Sequence, residues 1–551
     1  MNKFFMYKTI AIFFAVLLFT SCLEDKGNYT YGNQEIITIE GIPEQIAVLA
    51  NAENIVITPT ITSNLRGNIG NNHPDFEFSC ERKEDDKWIE MCSSPDNKDI
   101  NMLADIKAEL HTCRYSVIDK NTGVRTSFLF YINATTVTTE GWILLCNEES
   151  TDNTRIDMLS YLSMDRILPA YNVVKFAEEI PELKNPQAIT FIASRGSMGN
   201  KIVMTTETGA YIIPSAGNHY GFGEIQEVTA VNDLKISMFL AAPEVPVVKL
   251  TNVPCQWSSV PSHSAVIAVD ASGNAYAWDH GTVGARFEHP INTSERGKAP
   301  EYKVSPYIGT SLERFFNLQT YGIALLYDIE NKRFIGWNAE ADNQGSKKQT
   351  CYPLSNPENK LFDVENTGMD LVCMLNTLNK TLCIMQDGSK RHIYSFNIQT
   401  KDFAHDACYI DIQAEHFTDA SLFAPSSQYP VIYYAYRNKV YSYNYATGEN
   451  KVAINLPENE EVTMIKFNRY DDPFSAGYIV TGGSNEEKQA FTARQNQLIV
   501  GSYNSSVPDD KGGTLRFYET VSPGVDLTLI TGWEYTGFAK IVDAVYKEVR
   551  R

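Results

Sequence analysis

The sequence is poor in basic residues. Its 47 lysines and arginines are outnumbered by 67 aspartates and glutamates, so the 551-residue chain has a formal net charge of −20. A protein that binds nucleic acid needs a basic footprint for the phosphates. None is visible, and nucleic-acid binding is excluded as a function class. Aromatic residues are plentiful, with 30 Tyr and 27 Phe, a composition typical of strand-rich chains.

No segment is long and apolar enough to predict a membrane-spanning helix, which needs about 18 residues or more. The apolar run at residues 10–19 is too short, follows a basic segment, and is typical of a signal peptide. It ends in Phe19-Thr20-Ser21-Cys22, which resembles a bacterial lipobox. We therefore expect residues 1–21 to be removed and Cys22 to be lipidated, anchoring the chain to a membrane. The alternative is an ordinary secretory signal with a chance cysteine.

An acidic segment follows that cysteine. Leu23-Glu24-Asp25-Lys26-Gly27-Asn28-Tyr29 resembles the surface-export signal of Bacteroidetes lipoproteins. Residues 22–33 are predicted to be a flexible lipidated tether, and the location implied is the outer membrane, with the protein exposed at the cell surface. The alternative is a solvated leader that faces the periplasm.

Metal-ligand spacing is also missing. None of the ten cysteines form a CxxC pair, and no histidine lies at metal-ligand spacing from any of them. We therefore predict no metal site and no cofactor. Cys80 and Cys92 flank a possible hairpin and are candidates for a disulfide, since an exterior location allows one. Buried free thiols are the default expectation for the rest of the cysteines.

Residues 34–136 have the pattern of a small all-β domain. Short β-branched runs such as Ile36-Ile37-Thr38-Ile39 alternate with polar turns. The clearest hairpin joins residues 113–119 to residues 126–132, with Cys113, Tyr115 and Val117 on one face. About a hundred residues of this kind predict an immunoglobulin-like β-sandwich.

Residues 138–551 change to β-hairpins with long connections. Seven hairpins begin about 50 to 67 residues apart, at Trp142, Lys201, Ala265, Ile323, Thr381, Val431 and Leu498. A repeated hairpin with a long return is typical of propeller blades. The fold class predicted is therefore all-β, with an N-terminal sandwich followed by a β-propeller of seven blades. Two stacked β-sandwiches are the alternative.

A family resemblance rests on three features: the lipobox with its acidic segment, the β-run ending Ile39-Glu40-Gly41-Ile42-Pro43, and Gly141-Trp142-Ile143-Leu144-Leu145. Together they resemble the PKD-like family of Bacteroidetes surface lipoproteins, in which an Ig/PKD-like module precedes a larger β domain. The resemblance implies an accessory role beside SusC/SusD-type uptake systems. It supplies no catalytic residues.

No motif defines an enzyme. Gly196-Ser197-Met198-Gly199 lacks the spacing of a nucleophile elbow, although a triad or carboxylate pair could still assemble from several blades. Trp257, Trp278, Trp337 and Trp533 are candidate ligand contacts, because aromatic faces suit sugars; blade packing is the alternative for each. Removing residues 1–21 changes the net charge to −22, which disfavours acidic polysaccharides and favours neutral glycans or cationic peptides.

The function predicted is that of a non-enzymatic surface lipoprotein of the outer membrane. It would bind a glycan or peptide nutrient, or dock as an accessory subunit onto a SusC/SusD-type complex. One alternative is a surface hydrolase acting on glycan or peptide from a site in the propeller channel. The other is a pure protein–protein scaffold.

Overall fold

The computed structural model describes residues 34–174, 182–192, 201–207, 209–213, 229–230, 245–257, 260–279, 289–310, 322–338, 350–468 and 485–547. It divides into two compact units. The first holds residues 34–46 together with Asn54–Leu103 and His111–Ile132. The second holds Ala47–Glu53, Ala104–Leu110 and the chain from Asn133 onward. The predicted signal peptide, Cys22 and the tether lie outside the described residues.

Three sheets are formed by the strands between residues 34 and 136. The five-stranded sheet has the order β2 (Gln45–Leu49), β10 (Arg125–Thr135), β9 (Leu110–Asp119), β6 (Phe76–Glu84), β7 (Lys87–Ser94). A three-stranded sheet has the order β1 (Ile37–Glu40), β4 (Thr60–Ser63), β5 (Gly67–Asn68). A two-stranded sheet pairs β3 (Asn54–Ile57) with β8 (Ile100–Leu103). Cys113, Tyr115 and Val117 of β9 are all buried, as the alternation predicts.

Cys80 and Cys92, the candidates for a disulfide, are not bonded to each other. The two residues are register partners on β6 and β7, but each is a free thiol. Burial raises the pKa of both side chains, most strongly that of Cys80. Because the thiolate is the reactive form, both are held in an unreactive state.

The second unit contains seven consecutive sheets in its described residues, each of three or four strands. Sheet 1 has the order β36 (Lys540–Lys547), β11 (Gly141–Glu148), β12 (Asn153–Ser163), β13 (Arg166–Ala170). Sheet 2 has β14 (Ala188–Ile192), β15 (Lys201–Thr206), β16 (Gly209–Ile213), β17 (Thr229–Ala230), and sheet 3 has β18 (Val247–Trp257), β19 (Val260–Asp270), β20 (Ala275–Asp279). Sheet 4 has β21 (Ile323–Asp328), β22 (Arg333–Asn338), β23 (Tyr352–Pro353).

The remaining sheets repeat the same sequential order. Sheet 5 has β24 (Asp370–Asn376), β25 (Lys380–Asp387), β26 (Lys390–Asn397), β27 (His405–Tyr409). Sheet 6 has β28 (Leu422–Pro425), β29 (Val431–Tyr436), β30 (Lys439–Asn444), β31 (Asn450–Asn455). Sheet 7 has β32 (Glu461–Phe467), β33 (Gln497–Tyr503), β34 (Gly513–Val521), β35 (Asp526–Phe538), and helix α1 (Asn485–Arg494) precedes β33.

All seven predicted hairpins are confirmed as antiparallel strand pairs, one in each sheet. Two of the turns, those of sheets 3 and 4, are closed locally by an aspartate side chain. The buried carboxylate of Asp270 accepts hydrogen bonds from the backbone N–H groups of Ser272 and Asn274 at 2.9 and 2.8 Å. Asp328 does the same for Asn331 at 3.0 Å. Such Asx turns are short-range features, which is why the sequence pattern locates them.

Sheet 1 joins the two ends of the second unit. Its strand β36 pairs antiparallel with β11, and Trp142 lies opposite Tyr546. A buried core formed by side chains of sheets 7 and 1 includes Trp142, Phe517 and Tyr546. Comparable cores join sheets 1 and 2, 3 and 4, 4 and 5, 5 and 6, and 6 and 7. The second unit is therefore propeller-like in its described part, unlike two stacked sandwiches.

Candidate functional site

A cavity of about 490 Å³ lies where the first strands of the seven sheets meet. Its lining comes from β14, β18, β24, β28, β32 and β36, together with residues 307–310. The segment 307–310 occupies the first-strand position of sheet 4, since Gly309 bridges to Leu325 of β21. The volume is within the range of small-molecule pockets, which is about 300–1,000 Å³.

Three charged side chains line the cavity in its described part: Lys249 on β18, Lys466 on β32 and Asp543 on β36. Lys466 is neutralised, because its Nζ lies 2.8 Å from Oδ1 of Asp543 and donates to the carbonyl of Ala544 at 2.6 Å. The second carboxylate oxygen of Asp543 accepts a hydrogen bond from the N–H of Ile189 at 3.0 Å. Asp543 thereby connects sheets 1, 2 and 7 at the cavity wall.

Lys249 has no ion pair or hydrogen bond with any residue that the structure describes. Its Nζ lies 4.5 Å from the centroid of the Tyr307 ring, a cation–π contact. Lys249 is half-buried and lines the cavity. Burial lowers the pKa of Lys249; the carboxylate of Asp543 opposes the shift, and the ammonium of Lys466 adds to it.

Several amides and hydroxyls complete the lining. Asn376 accepts a hydrogen bond from the N–H of Thr310 at 3.0 Å and donates to the carbonyl of Ile308 at 2.9 Å, so sheets 4 and 5 are joined here. Three buried polar atoms of lining residues have no partner among the described residues: Oδ1 of Asn252, Oγ1 of Thr310 and Nδ2 of Asn468. Buried polar groups are normally paired, so this lining has unused hydrogen-bonding capacity.

The cavity offers little for catalysis. Asp543 is its one carboxylate in the described residues, whereas hydrolysis of a glycoside commonly uses two. Cys373 is a poor nucleophile, because burial raises its pKa to about 12 against the opposing charges of Arg391 and Lys249. In the described part of the chain no three His, Cys, Asp or Glu side chains cluster to hold a metal. That part also has no helix long and apolar enough to cross a membrane.

Two of the four predicted tryptophans have side chains that the structure describes, and both lie away from this lining. Trp337 on β22 is 3% exposed and packs in the core between sheets 3 and 4. Trp533 on β35 is half-buried, with its ring 5.0 Å from Phe517 and 6.0 Å from Trp142. Both positions favour the blade-packing alternative. Trp257 and Trp278 lie on β18 and β20, but their side chains are outside the described residues, and their role stays a prediction.

Sequence reasoning missed Lys249, Lys466 and Asp543. A signal was present, because each is a charged residue inside an otherwise apolar strand: VVKL, TMIKF and KIVDAV. What the pattern did not show is that the three strands converge, since 77 positions separate even Lys466 from Asp543 along the chain.

Comparison with known proteins gives one family match, to the PKD-like family over residues 22–179. That range covers the first unit and continues through β13 of sheet 1. No curated protein sequence matches the chain.

Similar solved structures are distant. A quinonprotein alcohol dehydrogenase-like protein from Bacteroides thetaiotaomicron is 10% identical, with a TM-score of 0.35 over 91% of this chain and 97% of the other. A protein from Lactobacillus plantarum is 10% identical, with a TM-score of 0.41 over 74% of this chain and all of the other. Neither similarity assigns an activity.

Proposed function

We propose that this protein is a non-enzymatic lipoprotein of the outer membrane that binds a glycan or peptide nutrient in the cavity of its second unit. The observation that carries the proposal is the cavity itself: all seven sheets contribute to its wall, and its lining mixes aromatic, amide and charged groups. Ligand sites in proteins are concave, with few polar groups placed to fix orientation.

The second unit would be a closed seven-bladed propeller, with each sheet as one blade. Three observations support this: seven sheets in sequential order, cores joining six pairs of neighbouring sheets, and the pairing of β36 with β11. Ring closure leaves no long exposed sheet edge, which stabilises such a repeat. The first unit would be the Ig/PKD-like spacer between lipid and propeller.

The location rests on the sequence around Cys22. A lipid there would anchor the chain, and the acidic segment behind it supports exposure at the cell surface, beside a SusC/SusD-type transporter. Docking onto such a complex without a ligand is the scaffold alternative. A surface hydrolase is the other, and the single described carboxylate of the cavity disfavours its glycosidase form.

Filling the cavity tests the ligand site. Thr251 of β18 lines it, and Thr251→Trp places an indole in the space. We expect the chain from Leu23 onward to bind members of a panel of neutral and acidic oligosaccharides and short peptides saturably, without cleavage products. Thr251→Trp should weaken that binding by about tenfold or more, which is 1.4 kcal/mol or more. Calorimetry measures the affinity, and chromatography of the mixtures detects products.

Thr528→Trp is the matched control, because Thr528 is exposed on the outermost strand of sheet 7. It should leave the affinity unchanged, and both variants should keep the circular dichroism of the parent. Release of products would favour the hydrolase. Absence of binding across the panel would favour the scaffold, and outer-membrane partners would then be sought by pull-down.

Lipidation is tested at Cys22. Cys22→Ser should move the protein from the membrane fraction to the soluble fraction, since the acyl acceptor is lost. Cys408→Ser, at a half-buried free thiol, is the control and should stay with the membrane. Mass spectrometry of the N-terminal peptide should show the acyl mass in the parent and in the Cys408→Ser control, and not in Cys22→Ser. Membrane retention of the serine variant would refute the lipid anchor.

A further inference from the structure

The cavity differs in charge from the protein as a whole. The chain has a net charge of −20, yet the charged side chains described in the cavity are two lysines and one aspartate. Charges on the outer surface are screened within about 8 Å at physiological salt. The preference of the cavity is therefore decided by the groups that line it, and the acidic surface has little influence there.

The two lysines are in different states. Lys466 has a carboxylate partner at 2.8 Å and a carbonyl partner at 2.6 Å. Lys249 has neither among the described residues, and only the face of Tyr307 lies against it, at 4.5 Å. An ammonium group removed from water without a paired anion is costly, and a cation–π contact offsets a minor part of that cost. Among the described lining residues, one positive charge in the cavity is thus uncompensated.

We propose that the cavity binds a carboxylate group of its ligand, with the ammonium of Lys249 as the ion-pair partner. This inference rests on the proposed function and names the chemistry that the site selects. A single uncompensated cation matches a monoanion. A phosphate would call for more donors, and guanidinium groups that could grip it bidentately are missing from the described lining.

Two ligand classes carry such a group: a peptide with a free C-terminus and a glycan that contains a uronic acid. Both have terminal units that a cavity of about 490 Å³ accommodates. The polar atoms of Asn252, Thr310 and Asn468 that lack partners could serve peptide amides or sugar hydroxyls equally. The inference reverses the expectation from net charge, which favoured neutral glycans or cationic peptides.

Matched pairs of probes test the carboxylate. Trialanine is compared with trialanine amide, and tri-galacturonic acid with galactotriose, by calorimetry at pH 7. We expect one acidic probe to bind at least about tenfold more tightly than its neutral counterpart, and the pair that shows this identifies the ligand class. Lys249→Met should remove the preference. Lys511→Met, at a lysine whose side chain is 60% exposed, is the control and should retain it.

Stability separates a ligand role from a structural one. Lys249→Met removes a half-buried charge that has no anionic partner among the described residues, so its thermal midpoint should equal or exceed that of the parent. A lower midpoint would overturn the proposal, because it would show that Lys249 already has a stabilising partner inside the protein. Equal binding of neutral and acidic probes would overturn it too, while leaving the proposed function intact. If no probe bound, both the carboxylate proposal and the proposed function would be contradicted.

The pH profile gives an independent readout. Lys249 is faced by Asp543 on β36, Lys466 on β32, Cys373 on β24 and the Tyr307 ring. Because the pKa of Lys249 is lowered, the affinity for the carboxylate probe should fall at a lower pH than the pH at which an exposed lysine loses its proton. Lys249→Arg keeps its charge throughout this range and should retain affinity as the pH rises. An unchanged alkaline decline in that variant would contradict the assignment.

Discussion

A chain that ends at Phe538 is expected to lose the cooperative fold of its second unit. The truncation removes β36, which supplies the partner strand of β11 and buries Ile541, Ala544 and Tyr546 to 2% exposure or less. Deleting the side chain of one such large residue costs about 2–5 kcal/mol, while a whole domain is stable by about 5–15 kcal/mol. Losing the strand with all of its backbone pairs therefore exceeds what the unit can tolerate.

The measurement is thermal unfolding followed by near-ultraviolet circular dichroism, with limited proteolysis as a second probe. A chain that ends at Lys547 keeps β36 and serves as the control; it should unfold at the temperature of the parent. If the shorter chain retained the same cooperative transition, β36 would not close the second unit, and the closed propeller would have to be abandoned.

Arg516→Met should destabilise the second unit by about 3–5 kcal/mol, the usual cost of stranding one partner of a buried ion pair. Arg516 is 8% exposed at its side chain and contacts Glu460 through two nitrogens, at 2.7 and 3.1 Å. It also donates to Glu534 at 2.8 Å and to Ser502 at 2.8 Å. Without it, the half-buried carboxylate of Glu460 keeps Ser502 as its remaining side-chain donor among the described residues.

The pH dependence of the stability of Arg516→Met follows from the Glu460 carboxylate that remains. Burial alone raises the pKa of Glu460, but hydrogen bonds from Arg516 and Ser502 hold it below its ordinary value. In the parent, the ionised Glu460 carboxylate stabilises the fold at pH values above the pKa that this glutamate has in the unfolded chain. That stabilisation is lost as the pH falls through the lower pKa of the folded state. In the variant, burial dominates, and protonation relieves the stranded charge. The difference in unfolding free energy between the two proteins should therefore shrink from pH 7 to about pH 5.

Urea unfolding measures both effects. The double variant Glu460→Gln/Arg516→Met removes the stranded charge and should recover part of the lost stability, which makes it the internal control. A loss in Arg516→Met below about 1 kcal/mol would place the pair among exposed ion pairs of little energetic weight. A loss that did not depend on pH would mean that Glu460 is not the residue left unpaired.

Hairpins were predictable because their determinants are local. In sheet 3, the alternation of Ala265, Ile267 and Val269 defines a strand, and the turn after Asp270 is closed by its own carboxylate. In contrast, the first strands of the sheets were missed. β24 and β32 each have a register shift against the next strand, which interrupts the alternation of apolar and polar residues. The first strands of several other sheets follow long connections, so no short turn marks where they begin.

The tryptophans show the limit of residue type as evidence. Trp337 was a candidate ligand contact, yet its place on β22 puts it between sheets 3 and 4. Trp533 packs beside Trp142 and Phe517, and the guanidinium of Arg494 lies 5.3 Å from its ring. An aromatic ring suits a sugar and a protein core equally well, and only the position of neighbouring sheets distinguishes the two roles.

The sequence by itself determined the all-β class, the two different regions, the seven hairpins and the absence of a recognisable enzyme motif. These properties depend on composition and on contacts within about ten residues, which a linear pattern contains. The tertiary structure alone decided which strands meet at the cavity, and hence that Lys466 is neutralised by Asp543 while Lys249 has no paired anion among the described residues. The charge state of a site depends on distances between residues far apart in the chain, and those distances exist only once the sheets have assembled.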